Sequence, residues 1–343
     1  MYSLPEKIEN LVPYEPCSGE YRIRLDANES FLPPDFSLYS DALKSVSLNR
    51  YPDSTAEKLC ESFAKFYGID ARFVTASNGS DEMLFILANC FLSRGDKVLT
   101  LSPDFSMYDF YASLAECNLY SMPKREDMSI DVDAVIKELN SSNYRMLIFS
   151  NPCNPTSLGL AREDVRRIIN STDALVVLDE AYMDFWDESL IEEAQNYDNL
   201  IILRTCSKMM GMAALRVGFA VANDKITAAV RSVKSPYNVN SLSQAAAAAV
   251  LTHGDMLRSN LKKIISSRDW LYENMKEICE NKGISLSKPA TNFIFFKPKN
   301  AANVFEGLKA KGILIRKMGD YLRITAGSPE ENKEVIAAAA LLL

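Results

Sequence analysis

The chain has 343 residues, 48% hydrophobic and 24% charged, an ordinary globular composition with enough apolar mass for a large core and two domains. The net charge of -7 and the lack of any long basic run argue against nucleic-acid binding. Residues 1–7 carry neither a basic nor an apolar leader pattern, and no apolar run reaches bilayer-spanning length, so a cytoplasmic protein without membrane contact is expected.

In chain order, the first 44 residues are irregular and Pro-rich, and are expected to wrap a small domain or a partner subunit. Short β-branched runs then alternate with longer amphipathic stretches. Strands are expected at residues 73–76, 97–101, 146–150, 175–178, 200–204 and 217–221. Helices are expected at 55–67, 80–92 and 161–170. This alternation predicts an α/β fold, a largely parallel sheet covered on both faces, over a large domain at residues 45–241. After residue 241 the texture changes. A helical stretch over 242–280, broken near His253-Gly254, precedes short strands at 292–296, 314–317 and 321–325 and a helix from Pro329. A smaller α+β domain is expected over 242–343, with the segment 1–44 associated with it.

The seven cysteines are odd in number and form no CxxC pair, which predicts reduced, mostly buried thiols. The single histidine, His253, sits at a helix end without metal-ligand spacing, so neither a metal site nor a histidine-based triad is expected.

Chemistry in open α/β sheets collects at the carboxyl ends of strands. Asn151, Asp179 and Thr205 to Lys208 each follow a predicted strand. Lys208 stands after Ser207 among Met209, Met210 and Met212. Partial desolvation would lower its pKa and free its amine for imine formation; a solvated surface lysine is the plainer alternative. Asp179 closes an apolar run and needs a partner. A protonated pyridine nitrogen would serve, as would a turn N–H or an arginine. Arg216 lies in an apolar stretch and needs a counter-ion, either a phosphate monoester or an internal carboxylate. Residues 73–82 read as strand, glycine turn and helix start, an anion site or simply a capped helix. Asn154 sits between prolines, where its amide could donate to a phenolate oxygen or only shape a turn. In this order, an amine, a carboxylate, a carboxamide and a cluster of phosphate-sized donors make up the kit that holds pyridoxal 5'-phosphate.

The chain resembles the fold-type I pyridoxal-phosphate aminotransferases, and most of all the histidinol-phosphate aminotransferase family. The carriers are Leu25-Asp26-Ala27-Asn28-Glu29, Asn49-Arg50-Tyr51-Pro52-Asp53, Asp179-Glu180-Ala181-Tyr182, Ser207-Lys208, the run from Pro236 to Gln244, and Tyr321-Leu322-Arg323-Ile324-Thr325. The resemblance spans nearly the whole chain. It implies that Lys208 binds the cofactor covalently and that Asp179 faces the pyridine nitrogen. Asn154 and Tyr182 would bind the ring hydroxyl oxygen, and Phe105 would stack on the ring. Ser80, Asp81, Thr205, Ser207 and Arg216 would hold the phosphate, with Tyr51 reaching over from the second subunit of a homodimer. Arg323 and Arg316, with Asn154, would bind the substrate. Lys208, Asp179 and Tyr182 would be catalytic.

Three departures from the family pattern stand out: Ser157 and Ala214 replace usual glycines, and the 317–322 loop is short. The implied reaction is ping-pong transamination between histidinol phosphate and 2-oxoglutarate, a step of histidine biosynthesis. Threonine-phosphate decarboxylase and an aromatic aminotransferase are alternatives on the same fold. A non-catalytic cofactor-sensing module is an alternative of another class, although such modules usually carry a fused DNA-binding domain, for which no segment is apparent.

Overall fold

The apolar runs pair into one large and two small sheets. The computed structural model describes residues 2–9, 11, 17 and 19–343; residues 1, 10, 12–16 and 18 of the N-terminal segment lie outside the described residues. The strands in chain order are β1 (Ile23–Arg24), β2 (Val74–Ser77), β3 (Lys97–Ser102), β4 (Asn118–Pro123), β5 (Tyr144–Ser150) and β6 (Leu175–Asp179). They continue with β7 (Leu200–Thr205), β8 (Gly218–Ala222), β9 (Phe293–Phe296), β10 (Ile313–Leu314), β11 (Arg316–Met318) and β12 (Tyr321–Thr325).

Seven of them form the large sheet in the order β2-β8-β7-β6-β5-β3-β4. The five from β7 to β4 run parallel, β8 is antiparallel to β7, and β2 is antiparallel to β8. Every residue of β7 and β8 is buried, which explains their continuous apolar reading. Successive side chains go to opposite faces. Leu147 and Phe149 join one core cluster with Phe63 and Phe219, whereas Met146 and Ile148 join another with Met83, Leu87 and Tyr108.

Helices cover both faces. Glu57–Tyr67 buries Leu59, Cys60, Phe63 and Ala64 as one stripe and stops at Gly68, whose φ of 72° suits glycine. Gly79–Cys90 buries Met83, Leu84, Ile86, Leu87 and Ala88 on the other side. The expected break in the long helix falls at Thr252-His253, between Ser241–Leu251 and the 28-residue Gly254–Asn281, and His253 is exposed there.

A separate antiparallel sheet, β11-β12-β9, has its own apolar cluster with the helices Ala301–Ala310 and Pro329–Leu342. Ser328 and Glu331 close a capping box at the start of the last helix. The N-terminal segment touches both regions. β1 pairs in parallel with β10, and Arg22 bonds Glu334, while the Lys7 amine donates to the Leu114 carbonyl beside the large sheet.

Some expectations need correction. β4 has no counterpart in the sequence reading, because this edge strand is polar, half-exposed and ends in proline. The strand expected at 314–317 is two short pieces, β10 and β11, in different sheets. Four cysteines are buried, but Cys90 is exposed, and Cys17 and Cys117 are half-buried; all seven are free thiols.

Candidate active site

The parallel strands deliver their last residues to one cleft. β5 ends at Ser150, β6 at Asp179 and β7 at Thr205, and all three line a cavity of about 530 Å³. The same cavity gathers Ser80, Asp81, Phe105, Asn154, Tyr182, Ser207, Lys208, Arg216, Arg316 and Arg323. Every predicted site residue except Tyr51 therefore shares one cleft. Tyr51 is 80% exposed and stacks on Tyr237, with ring centroids 4.7 Å apart. Asn151, although it follows β5, turns away. Its carboxamide exchanges hydrogen bonds with the Leu160 backbone.

Lys208 follows β7 and is half-buried, flanked by the buried Met209, Met210 and Met212. Its amine donates to the Ala27 carbonyl at 2.9 Å and lies 5.7 Å from the centre of the Tyr182 ring. The Asp179 carboxyl is 4% exposed and accepts two hydrogen bonds, from the Tyr108 hydroxyl at 2.8 Å and from the Ala181 N–H at 3.0 Å. Burial pushes its pKa up to about 7, because water no longer stabilises the anion; Asp104 and Asp81 add repulsion. The Tyr182 hydroxyl accepts from the Asn28 carboxamide at 2.8 Å.

Asn28 was not expected as a site residue. It is buried, its φ is 56°, and its side chain also accepts from Thr325 while its carbonyl accepts from Asn292. It thus joins the N-terminal segment and the small sheet to Tyr182. Tyr108 was missed as well. The only signal for either was an amide or a phenol near the right motif.

The cleft also holds a cluster of donors suited to an anion. The helix Gly79–Cys90 opens there with its first-turn N–H groups, and the Thr205, Ser207 and Arg216 side chains converge. Close approach requires glycines. Gly79 has a φ of 75°, which suits glycine, and a Cβ on Gly218 would lie 2.5 Å from the Gly79 carbonyl carbon. Arg216 itself was expected in an apolar interior. Instead it sits in a left-handed turn between Ala213–Leu215 and β8, and its exposed side chain projects into the cleft and pairs with Asp81 at 3.3 Å.

The opposite wall carries the two arginines. Arg323 is buried and donates to the Asn154 side-chain oxygen and the Asp26 carbonyl, both at 2.6 Å. Arg316 is its partner residue in the β11–β12 register. The 317–322 segment expected as a short loop is mostly strand: Lys317 and Met318 pair with Leu322 and Tyr321, only Gly319 and Asp320 turn, and both arginines line the cleft.

The two replaced glycines differ in kind. Ser157 has a φ of 62°, a conformation that suits glycine. It is buried, and its hydroxyl hydrogen-bonds Thr291 and the Phe293 carbonyl, which compensates. Ala214 lies in a 3-10 turn without positive φ, so nothing there demands glycine.

At the wall of the cleft, the Asp104 side chain is nearly buried and pairs with Lys124 at 3.4 Å. Burial raises the Asp104 pKa. Burial alone would lower that of Lys124, but Asp104 beside it holds it up.

A family model for class I and II aminotransferases matches residues 19–338. The chain belongs to this family. It is a pyridoxal 5'-phosphate-dependent aminotransferase. It is 37% identical over 337 residues to the histidinol-phosphate aminotransferase of Clostridium novyi (strain NT), covering 96% of this chain and 94% of that protein. Among solved structures, the histidinol-phosphate aminotransferase of Sinorhizobium meliloti in complex with pyridoxal-5'-phosphate superposes with a TM-score of 0.85 at 23% identity, covering 94% of this chain and 91% of that one. The L-threonine-O-3-phosphate decarboxylase of Porphyromonas gingivalis superposes with a TM-score of 0.77 at 25% identity, covering 92% and 98%.

The residues of this aminotransferase fit its cofactor. An amine, a buried carboxyl, and a cradle of N–H, hydroxyl and guanidinium donors shaped by Gly79 and Gly218 lie in one cleft. Among the described residues no helix is long and apolar enough to cross a membrane.

Proposed function

We propose that this aminotransferase moves an amino group between histidinol phosphate and 2-oxoglutarate, yielding imidazole-acetol phosphate and glutamate, a cytoplasmic step of histidine biosynthesis. One observation carries the substrate reading. Arg316 and Arg323 are cross-strand partners that both line the cleft, and guanidinium groups are suited to bind a carboxylate or a phosphate there. The glutamate carboxylate and the histidinol phosphate monoester are both targets for such a pair.

In this reading the first-turn N–H groups of Ser80 and Asp81, the Thr205 and Ser207 hydroxyls and Arg216 hold the cofactor phosphate. Asp81 contributes through its backbone, since its carboxylate is an acceptor only and repels phosphate. Asp179 would face the pyridine nitrogen, Asn154 and Tyr182 would face the ring oxygen, and Phe105 would lie against the ring. When bound, pyridoxal phosphate supplies an aldehyde for the amino group and a ring that withdraws electrons from the substrate α-carbon. The Lys208 amine would hold that aldehyde, and as a free amine it is placed to move the substrate's α-proton. Asp179 holds a proton at the ring nitrogen, and Arg323 and Arg316 fix the substrate's anionic end. Arg323 also fixes the Asn154 carboxamide, leaving its NH₂ as the donating end.

The homodimer belongs to this reading too. Tyr51 and Tyr237 are large exposed rings stacked on each other, and Leu48 and Leu242, close to them in the chain, are exposed as well. That favours a second subunit covering them, with Tyr51 reaching the neighbouring cofactor phosphate.

The test is a substrate panel with purified protein and 2-oxoglutarate. Histidinol phosphate should give the highest kcat/KM. Faster turnover of phenylalanine would make this an aromatic aminotransferase. Carbon dioxide release from threonine phosphate without an oxo-acid would make it a decarboxylase. No turnover of any of the three would leave the sensing module.

A further inference from the structure

We propose that Tyr108 is a positioning residue for Asp179: its hydroxyl locks the orientation of the carboxyl group and supplies the hydrogen bond that favours its charged form. The inference rests on the reading of Asp179 as the partner of the pyridine nitrogen.

The geometry is specific. Tyr108 lies in the first turn of the helix Met107–Leu114 and is 1% exposed. Its hydroxyl donates to one Asp179 oxygen at 2.8 Å, and the Ala181 N–H donates to the other at 3.0 Å. Each oxygen thus has one donor, from different parts of the chain, and the carboxyl group cannot rotate without breaking one bond. Among the described residues no other side chain donates to Asp179.

Tyr108 also meets Phe105 edge to face, with centroids 5.6 Å apart and planes at 82°. One buried ring therefore buttresses both the proposed stacking residue and the proposed nitrogen partner.

The charge argument follows from the surroundings. Asp104, ahead of the same helix, and Asp81, on the helix Gly79–Cys90, repel a negative Asp179, and burial opposes its charge further. The Tyr108 and Ala181 donors act against all three. Burial, and then Asp179 itself, pushes the Tyr108 hydroxyl well above its ordinary pKa, so it stays a donor. The Lys208 amine donates to the Ala27 carbonyl, and the Lys124 amine pairs with Asp104.

Tyr108→Phe removes one oxygen and keeps the ring and its Phe105 contact, so the fold should persist. Three measurements decide. In the holoenzyme loaded with cofactor labelled with ¹⁵N in its ring, the nitrogen should be protonated at neutral pH, and Tyr108→Phe should lose that proton at lower pH than wild type. The dissociation constant of the cofactor should rise about tenfold, the cost of a hydrogen bond to a charged group. In an Asp179→Asn background the same Tyr108→Phe change should alter that constant less than about twofold, because the two residues act as one unit. Equal losses in both backgrounds would assign Tyr108 a merely structural role and overturn the proposal.

An infrared titration of the Asp179 carboxyl band in the cofactor-free full-length chain separates this from the underlying reading. Tyr108→Phe should move its midpoint upward by about one pH unit; an unmoved midpoint overturns the proposal. An unprotonated ring nitrogen in the wild type would instead sink the assignment of Asp179, while the infrared result would still judge the Tyr108 bond.

Discussion

Arg316 and Arg323 are directly paired in the register of the β11–β12 hairpin, and Arg323 is anchored from behind by Asn154 and Asp26. The anchored member is pre-organised; its partner is half-buried at the cleft. Arg323→Lys should therefore lose about 2–4 kcal/mol in kcat/KM for both half-reactions, because an ammonium cannot replace a bidentate fork. Arg316→Ala should weaken the phosphate substrate more than glutamate. Steady-state kinetics with each substrate checks both, and equal effects of Arg316→Ala would place the phosphate elsewhere.

Lys208 should be the point of covalent attachment. Borohydride treatment of the yellow holoenzyme should bleach it and leave a cofactor adduct on the peptide bearing Lys208, read by mass spectrometry. Lys208→Ala should yield no such adduct and essentially no turnover. An adduct on another lysine with normal activity would refute the role.

Asp179 makes a prediction with a definite sign. Its ordinary pKa is 3.8, and burial lifts it to about 7 in the cofactor-free fold. Below both values the folded and unfolded chains are equally protonated there. Between them only the unfolded chain has released the proton, so this residue's contribution to stability falls as pH rises and levels off above about 7. Asp179→Asn has no such proton. The Tm of the cofactor-free Asp179→Asn protein minus that of wild type should rise between pH 4 and 7 and then flatten. Asp104 and Glu180, also raised by burial, are common to both proteins and largely cancel. In the holoenzyme the same substitution should cut kcat about a thousandfold, since an amide cannot balance a pyridinium. A flat Tm difference would contradict the raised pKa.

Ser157 tests the replaced glycine. Ser157→Ala keeps the left-handed strain and loses both hydroxyl contacts, costing about 1–2 kcal/mol. Ser157→Gly loses the contacts but relieves strain of about 1 kcal/mol, so it should be milder. Urea midpoints order the two, and a Gly variant weaker than Ala would overturn the compensation argument.

Tyr51 tests the assembly. Sedimentation should give a dimer, and Tyr51→Phe should bind the cofactor more weakly by about 1–3 kcal/mol, the value of a hydrogen bond to a charged group. A fully active monomer would end the shared-site idea.

Much of this was legible in the sequence. Strands buried on both faces announce themselves as apolar runs, and Asp179, Thr205 and Lys208 stand where those runs stop. What escaped was long-range. Tyr108 meets Asp179 across 71 residues, Asn28 meets Tyr182 across 154, and Arg323 meets the Asp26 carbonyl across 297. A backbone carbonyl carries no side-chain identity, so the motif that includes Asp26 and Ala27 could not show that their carbonyls would hold Arg323 and Lys208. The exposure of Arg216 was missed because flanking apolar residues say nothing of a left-handed turn that swings one side chain outward.

The pairing of Ile23 with Ile313 also bears on how the protein is made. A ribosome adding about 5–20 residues per second needs roughly fifteen seconds to a minute to travel from one to the other. Throughout that interval the strip that will supply the Asp26 and Ala27 carbonyls and the Asn28 amide has no strand to pair with. The large sheet can assemble early, but the catalytic cleft closes only when the last fifth of the chain has emerged, so a stalled or truncated product should expose an unfinished site to chaperones and proteases.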